Sequence, residues 1–172
     1  MTTPPFEPVR PVDLEVVETQ LQRPSRGVVG VAARCVCGNP TVVATSPRLP
    51  DGSPFPTFYY LTHPAATAEM SRLEAGQVMP ELTALLEEDD EVRAGYHRAH
   101  AAYLADRAQF GEVDEIAGIS AGGMPTRVKC LHALAGHALA AGPGVNPLGD
   151  LALARSAWSP ERCECENPGA AA

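Results

Sequence analysis

The sequence predicts a single α+β domain, with a small antiparallel sheet from the N-terminal half packed with helices from the C-terminal half. Three observations lead there. Runs rich in valine, threonine and aromatic residues come first, and segments with helical patterning follow. Hydrophobic residues make up 45% of a 172-residue chain, enough to bury a core within one domain. The organisation expected is a flexible N-terminus over 1–11, a domain over 12–166 and a flexible Pro/Gly/Ala tail over 167–172.

Four prolines in residues 1–11 oppose regular structure there. Residues 12–21 read as a short helix, with Asp13 near its start where an acidic side chain suits the helix dipole. R-P-S-R-G then breaks the pattern. Strands are expected over 27–33, 41–45 and 55–62, separated by C-V-C-G-N-P and P-R-L-P-D-G-S-P, both rich in turn formers. An antiparallel meander is the economical arrangement. From Pro64 onward the pattern is helical: a stretch carrying Met70 and Leu73, then 79–86, then 92–110. Pro125 suits the first turn of a helix running to about Ala141, where G-P-G stops it, and a last helix is expected over 147–158.

Charge and composition exclude several function classes. The net charge of −8 opposes a nucleic-acid partner, which is met by a basic field. No apolar run approaches the roughly 20 residues that span a bilayer, and the N-terminus lacks the basic and apolar segments of a signal peptide. A cytoplasmic location with reduced thiols is therefore expected. Five cysteines, an odd number, argue against a complete disulfide framework.

Those cysteines are the chemically informative residues. Cys35 and Cys37 form C-V-C-G at the tip of the first hairpin, Cys130 opens C-L-H with His132, and Cys163 and Cys165 form C-E-C in a polar tail. Thiols gathered by folding would make a soft-metal site, as in zinc ribbons, where a tight turn ending in glycine points sulfurs at one ion. Ribbon knuckles carry two residues between the cysteines and this hairpin carries one, which puts Cys37 in doubt. Packing under the sheet is the plain alternative for the hairpin pair. The C-E-C pair has little packing reason to exist in such a tail, and an ion would anchor it. On a regular helix from Pro125, Cys130 and His137 lie roughly 10 Å apart along the axis, too far to share an ion, and His132 points away from Cys130.

I-S-A-G-G-M-P-T-R-V-K leads into that helix. Glycine-rich entry to a helix N-terminus exposes amides that hold anions, which makes Ser120, Gly122, Gly123, Arg127 and Lys129 a candidate anion site. No G-K-S or G-K-T follows, so this is not a familiar phosphate-binding loop, and a flexible turn is the plain alternative.

Several blocks in order resemble the uncharacterised bacterial family called domain of unknown function 501. They are R-P-S-R-G, A-R-C-V-C-G-N-P-T-V-V, P-F-P-T-F-Y-Y-L-T-H-P, S-R-L-E-A-G, G-I-S-A-G-G-M-P-T-R-V-K-C-L-H-A-L-A-G-H, G-V-N-P-L-G-D and C-E-C, covering most of 22–165. The alanine-rich form with cysteine pairs is similar to actinobacterial members. The resemblance implies no established activity. It implies one departure: the family block reads L-T-C-P where this chain has L-T-H-P, which makes His63 a candidate ligand, because zinc accepts either donor.

The expectation is thus a metal-binding protein whose ion, zinc in the first instance, ties the C-E-C segment to the domain. Candidate ligands are Cys35, Cys130, Cys163 and Cys165, with Cys37, His63 and His132 in reserve. An enzyme built on a metal or an iron–sulfur cluster, acting on a small anionic substrate near Arg127 and Lys129, is one alternative. A non-catalytic protein-interaction module using an acidic helix surface is the other. Neither alternative names a protein partner.

Overall fold

The computed structural model describes residues 6–172. Three strands, β1 (Val28–Arg34), β2 (Pro40–Thr45) and β3 (Tyr59–Leu61), form an antiparallel meander in the order β1-β2-β3. β2 lies in the middle and is buried at every position, as its T-V-V-A-T composition requires. β3 is shorter than the expected 55–62. Pro54 and Pro56 have no N–H to give a ladder, and the Phe58 amide donates to the Tyr103 hydroxyl.

Six α-helices surround this sheet: α1 (Pro11–Leu21), α2 (Pro64–Ala75), α3 (Val78–Glu88), α4 (Asp90–Ala108), α5 (Leu131–Ala141) and α6 (Pro147–Arg155). The fold is α+β, with the sheet in the N-terminal half. Among the described residues no helix is long and apolar enough to cross a membrane. α5 is buried nearly all round, between the sheet, α2 and α6. Its alanines and Gly136 let it sit close to β3. Gly149 on α6 has the same use, because a Cβ there would overlap the Leu134 carbonyl oxygen.

Aromatic packing joins helix to sheet. Phe58, Tyr59 and Tyr103 are fully buried and meet edge-on, with Tyr59 and Tyr103 5.6 Å apart. Burying each such side chain stabilises the fold by about 1.5–3 kcal/mol. Tyr103 also accepts hydrogen bonds from the Phe58 and Tyr59 amides, so the core that holds the sheet edge is polar where it must be.

Both ends of the described chain pack onto the domain. Of the segment 1–11 expected to be flexible, residues 1–5 lie outside the described residues. Glu7 and Val31 exchange both backbone hydrogen bonds, at 3.1 and 2.9 Å. Asp13, fully buried, is held by Arg10 at 2.9 Å and Arg34 at 2.7 Å. At the other end, Ala171 is 1% exposed. Its N–H donates to Asn39 Oδ1 at 3.0 Å and its carbonyl accepts from Arg10. The tail over 167–172 therefore packs across the β1–β2 turn.

Candidate metal centre

The β1–β2 turn is closed by two backbone bonds of 2.8 Å, from Cys35 N–H to the Asn39 carbonyl and from Gly38 N–H to the Cys35 carbonyl. Gly38 takes φ +91°, which L side chains rarely adopt. With that turn, Val36 faces outward at 64% exposure, while both flanking thiols face the tail. The tail approaches through Val36 N–H to the Pro160 carbonyl (3.2 Å) and Asn39 Nδ2 to the Asn167 carbonyl (2.9 Å). These contacts bring Cys163 and Cys165 to the hairpin. The ligand atoms of Cys35, Cys37, Cys163 and Cys165 all lie within 4.8 Å of one another. Cys37 and Cys165 sulfurs are 3.6 Å apart. The four thiols can hold a metal ion.

Proton sharing within this group is uneven. Burial pushes the Cys35 thiol up. Burial and the neighbouring thiols push Cys165 up further. Burial acts the same way on Cys37, but backbone N–H groups of Asn39 and Gly169, helped by Cys165 and Cys163, outweigh it and bring Cys37 down to about 6. Cys35 and Cys165 thus resist ionising in the absence of a cation. A divalent ion removes that resistance by replacing their protons.

His63 borders the group without joining it. The side chain is fully buried and caps α2, its Nδ1 accepting from Ala66 N–H at 3.4 Å. Nδ1 being an acceptor puts the proton on Nε2, and Nε2 lies 3.3 Å from the Cys165 sulfur. Burial lowers the imidazole pKa and keeps it neutral. His63 thus supplies a hydrogen bond to a candidate ligand.

Cys130 and His132 are elsewhere. The expectation that Cys130 belongs to one shell with Cys35 and the C-E-C pair differs from the arrangement found. Cys130 and His132 instead group with Glu74, again with ligand atoms within 4.8 Å of one another. The helix that carries them starts at Leu131, not Pro125. Residues 121–129 form no helix but a turn over 122–126 and irregular backbone, with Gly122 and Gly123 at positive φ and Lys129 N–H bonded to the Gly122 carbonyl at 2.7 Å. Cys130 is therefore the N-cap, in an extended conformation (φ −154°, ψ 112°), and helical spacing does not govern it. Its sulfur comes within 3.9 Å of His132 Nδ1, and that nitrogen lies 3.1 Å from Glu74 Oε1. Burial raises the Cys130 thiol, but His132 and the Ala133 amide outweigh it and bring it below its ordinary value. The pairing with Cys130, and more weakly Glu74, raises His132 to about 8 despite burial.

Glu74 is the residue that sequence reasoning passed over. It sits in S-R-L-E-A-G, 56 residues before Cys130, with no spacing to connect them. It also occupies the amide offered by the helix terminus, since Leu131 N–H donates to Glu74 Oε1 at 2.8 Å. The candidate anion loop is turned onto the protein. Ser120 is buried and bonded to His100 at 2.8 Å, a Cβ on Gly122 would meet Leu134, and one on Gly123 would meet the Arg127 carbonyl. Arg127 and Lys129 are exposed.

A family model described as Protein of unknown function (DUF501) matches residues 31–154, well over half of the chain. That span includes Cys35, Cys37, His63, Glu74, Cys130 and His132, and ends before Cys163. No curated protein and no solved structure matches the chain.

Proposed function

We propose that this chain, which belongs to the family described as Protein of unknown function (DUF501), is a metal-binding protein in which one zinc ion, held by Cys35, Cys37, Cys163 and Cys165, fastens the C-terminal segment to the β1–β2 hairpin. The observation that carries the reading is the convergence of four sulfurs from two distant segments within 4.8 Å of one another. A Zn–S bond of about 2.3 Å requires sulfurs about 3.8 Å apart in a tetrahedron. The Cys37–Cys165 separation of 3.6 Å is close to that edge. An iron–sulfur cluster spreads its thiolates over several irons and needs them farther apart, so the spacing favours one ion.

The surroundings support a thiolate shell. Backbone N–H groups of Asn39 and Gly169 and the ring N–H of His63 are directed at Cys37 and Cys165. Such donors spread thiolate charge and orient the ligands. A four-cysteine set leaves no position for water, so the role is structural. With zinc bound, Cys37 need not be strained, because the Gly38 turn already faces both hairpin sulfurs one way.

The test is metal content of the full chain, purified anaerobically and dialysed. One tightly held zinc per chain and no visible colour are expected, and a Cys163→Ser, Cys165→Ser variant should lose it. His63→Asn, which keeps a side-chain cap for α2 but cannot reach Cys165 with an N–H, should weaken zinc binding by roughly 10–100-fold. A brown protein, or a double serine variant that holds as much zinc as the wild type, would overturn the reading.

A further inference from the structure

We propose that Glu74, Cys130 and His132 form a second divalent-metal site, distinct from the four-cysteine group, whose fourth coordination position opens to the cleft beside β3. The three donors come from the last turn of α2 and the start of α5. A tetrahedral ion with Zn–S about 2.3 Å and Zn–N and Zn–O about 2.0–2.2 Å has ligand-to-ligand edges of about 3.3–3.6 Å. The separations here are 3.9 Å from sulfur to Nδ1 and 3.1 Å from Nδ1 to Oε1. They bracket that range, so small side-chain movements suffice.

The histidine is presented as a ligand. His132 Nε2 lies 3.2 Å from the Thr67 carbonyl, which can only accept, so Nε2 carries a proton. Nδ1 faces Glu74 and Cys130, where a cation can take the place of its proton, and the opposite nitrogen donates to a backbone carbonyl, as in most metal-bound histidines. Glu74 is fixed by the Leu131 amide, leaving the carboxylate lone pairs for an ion.

The same geometry argues against a cysteine nucleophile with histidine as its base. In that arrangement the acid binds the ring nitrogen opposite the thiol and orients the base. Here the thiol and the carboxylate face one nitrogen, so they compete for its proton. A cation between all three resolves the competition. Binding releases the Nδ1 proton of His132 and the Cys130 proton to solvent, and one thiolate and one carboxylate balance a divalent charge.

Three protein ligands with a fourth position left for water distinguish catalytic zinc sites from closed structural ones. Cys130 and His132 line a cleft of about 630 Å³ with Thr67, Tyr60 and Arg23. Glu74 and His132 are 23% and 27% exposed, so an ion has a way in. Arg23, held by the Tyr60 hydroxyl at 3.1 Å, puts a guanidinium in the same cleft. The ligand class that fits is therefore a small molecule bearing an oxyanion, one oxygen on the ion and its charge facing Arg23.

The test uses the full chain and zinc alone as the probe. Iodoacetamide labelling of each cysteine is followed by peptide mass spectrometry after chelation and again after zinc is restored. Zinc should slow Cys130 labelling at least tenfold in the wild type, and Glu74→Gln and His132→Ala should abolish that protection. Protection of Cys35, Cys163 and Cys165 should be unchanged in both variants. A Cys130 rate indifferent to zinc in the wild type overturns the proposal without need of any variant. So does protection that survives both substitutions. Loss of protection at Cys35 with Cys130 still protected would instead overturn the four-cysteine reading and leave this one standing.

Discussion

Helical spacing separates His137 from Cys130, and its environment gives it a different importance. It is fully buried on α5, stacked on Tyr59 at 5.7 Å and edge-on to Tyr103 at 5.1 Å. Asn146 Oδ1 accepts from Gly149 N–H, so Asn146 Nδ2 is the donor to His137 Nδ1 at 3.2 Å. Nε2 then carries the proton and has no hydrogen-bond partner among the described residues. A second proton would place a cation among aromatic and apolar groups. Burial accordingly lowers His137 to about 4, from an ordinary value of 6.5. A depressed folded value means that the unfolded chain binds the proton first as pH falls. The stability contribution is intact above about 6.5 and is lost progressively toward pH 4, by about 3 kcal/mol in all. Urea unfolding at pH 7, 5.5 and 4 measures this. His137→Gln keeps an acceptor for Asn146 without titrating, so it should be less stable at pH 7 yet lose less on acidification. An equal decline in both proteins would exclude His137 as the source.

At the scale of elements, the meander and the helical half are legible because their signals are local. β2 reads as a strand from its valines and threonines, and α1 and α6 start at prolines where a missing N–H costs nothing. Pro125 is an acceptable first residue for a helix, so the sequence places the start of α5 too early. The turn and irregular backbone of 121–129 that displace it depend on Gly122 and Gly123 packing against Leu134 and the Arg127 carbonyl. Those contacts are tertiary and leave no periodicity. That shift of six residues decides the site: it moves Cys130 off the helix and beside His132. The cysteine pairs were legible as ligand types, but which pairs meet is set by the tail's path along Asn39 and Val36. Glu74 carried no signal at all. The α5–α6 contact is the element-level feature most exposed to a single change. Gly149→Ala puts a methyl group onto the Leu134 carbonyl oxygen and 2.8 Å from the Ala138 Cβ, both on a buried helix. Moving α6 away costs about 1–3 kcal/mol by the usual penalty for overpacking. A urea midpoint that did not fall would mean that the two helices are not held at this distance.

Across the whole molecule, the tail and the main core are built on different principles. The core is a continuous cluster running from Val42 and Phe58 through Met70, Leu82 and Tyr96 to Leu134 and Leu148. Beyond Trp158 the chain contributes only Ala171 to the buried apolar set, so residues 159–172 gain little from hydrophobic burial. Hydrogen bonds to Asn39 and Arg10 hold the tail in place, and each adds only about 0.5–1.5 kcal/mol. Ordering that many residues costs more than those bonds return. The ion proposed at Cys163 and Cys165 would close the difference, because binding a structural ion contributes directly to folding. Chelation should therefore release the tail and leave the core folded. Arg162 is exposed on this segment, whereas Arg107 is 5% exposed and bonded to the Pro56 and Ile116 carbonyls. In limited trypsin digestion, removing zinc should accelerate cleavage after Arg162 at least tenfold and leave Arg107 uncut. Restoring zinc should reverse this in the wild type but not when Cys163 and Cys165 are serine. Equal rates at Arg162 with and without the ion would mean that the tail is held by its protein contacts alone. Simultaneous cleavage at Arg107 would mean that the ion supports the core as well.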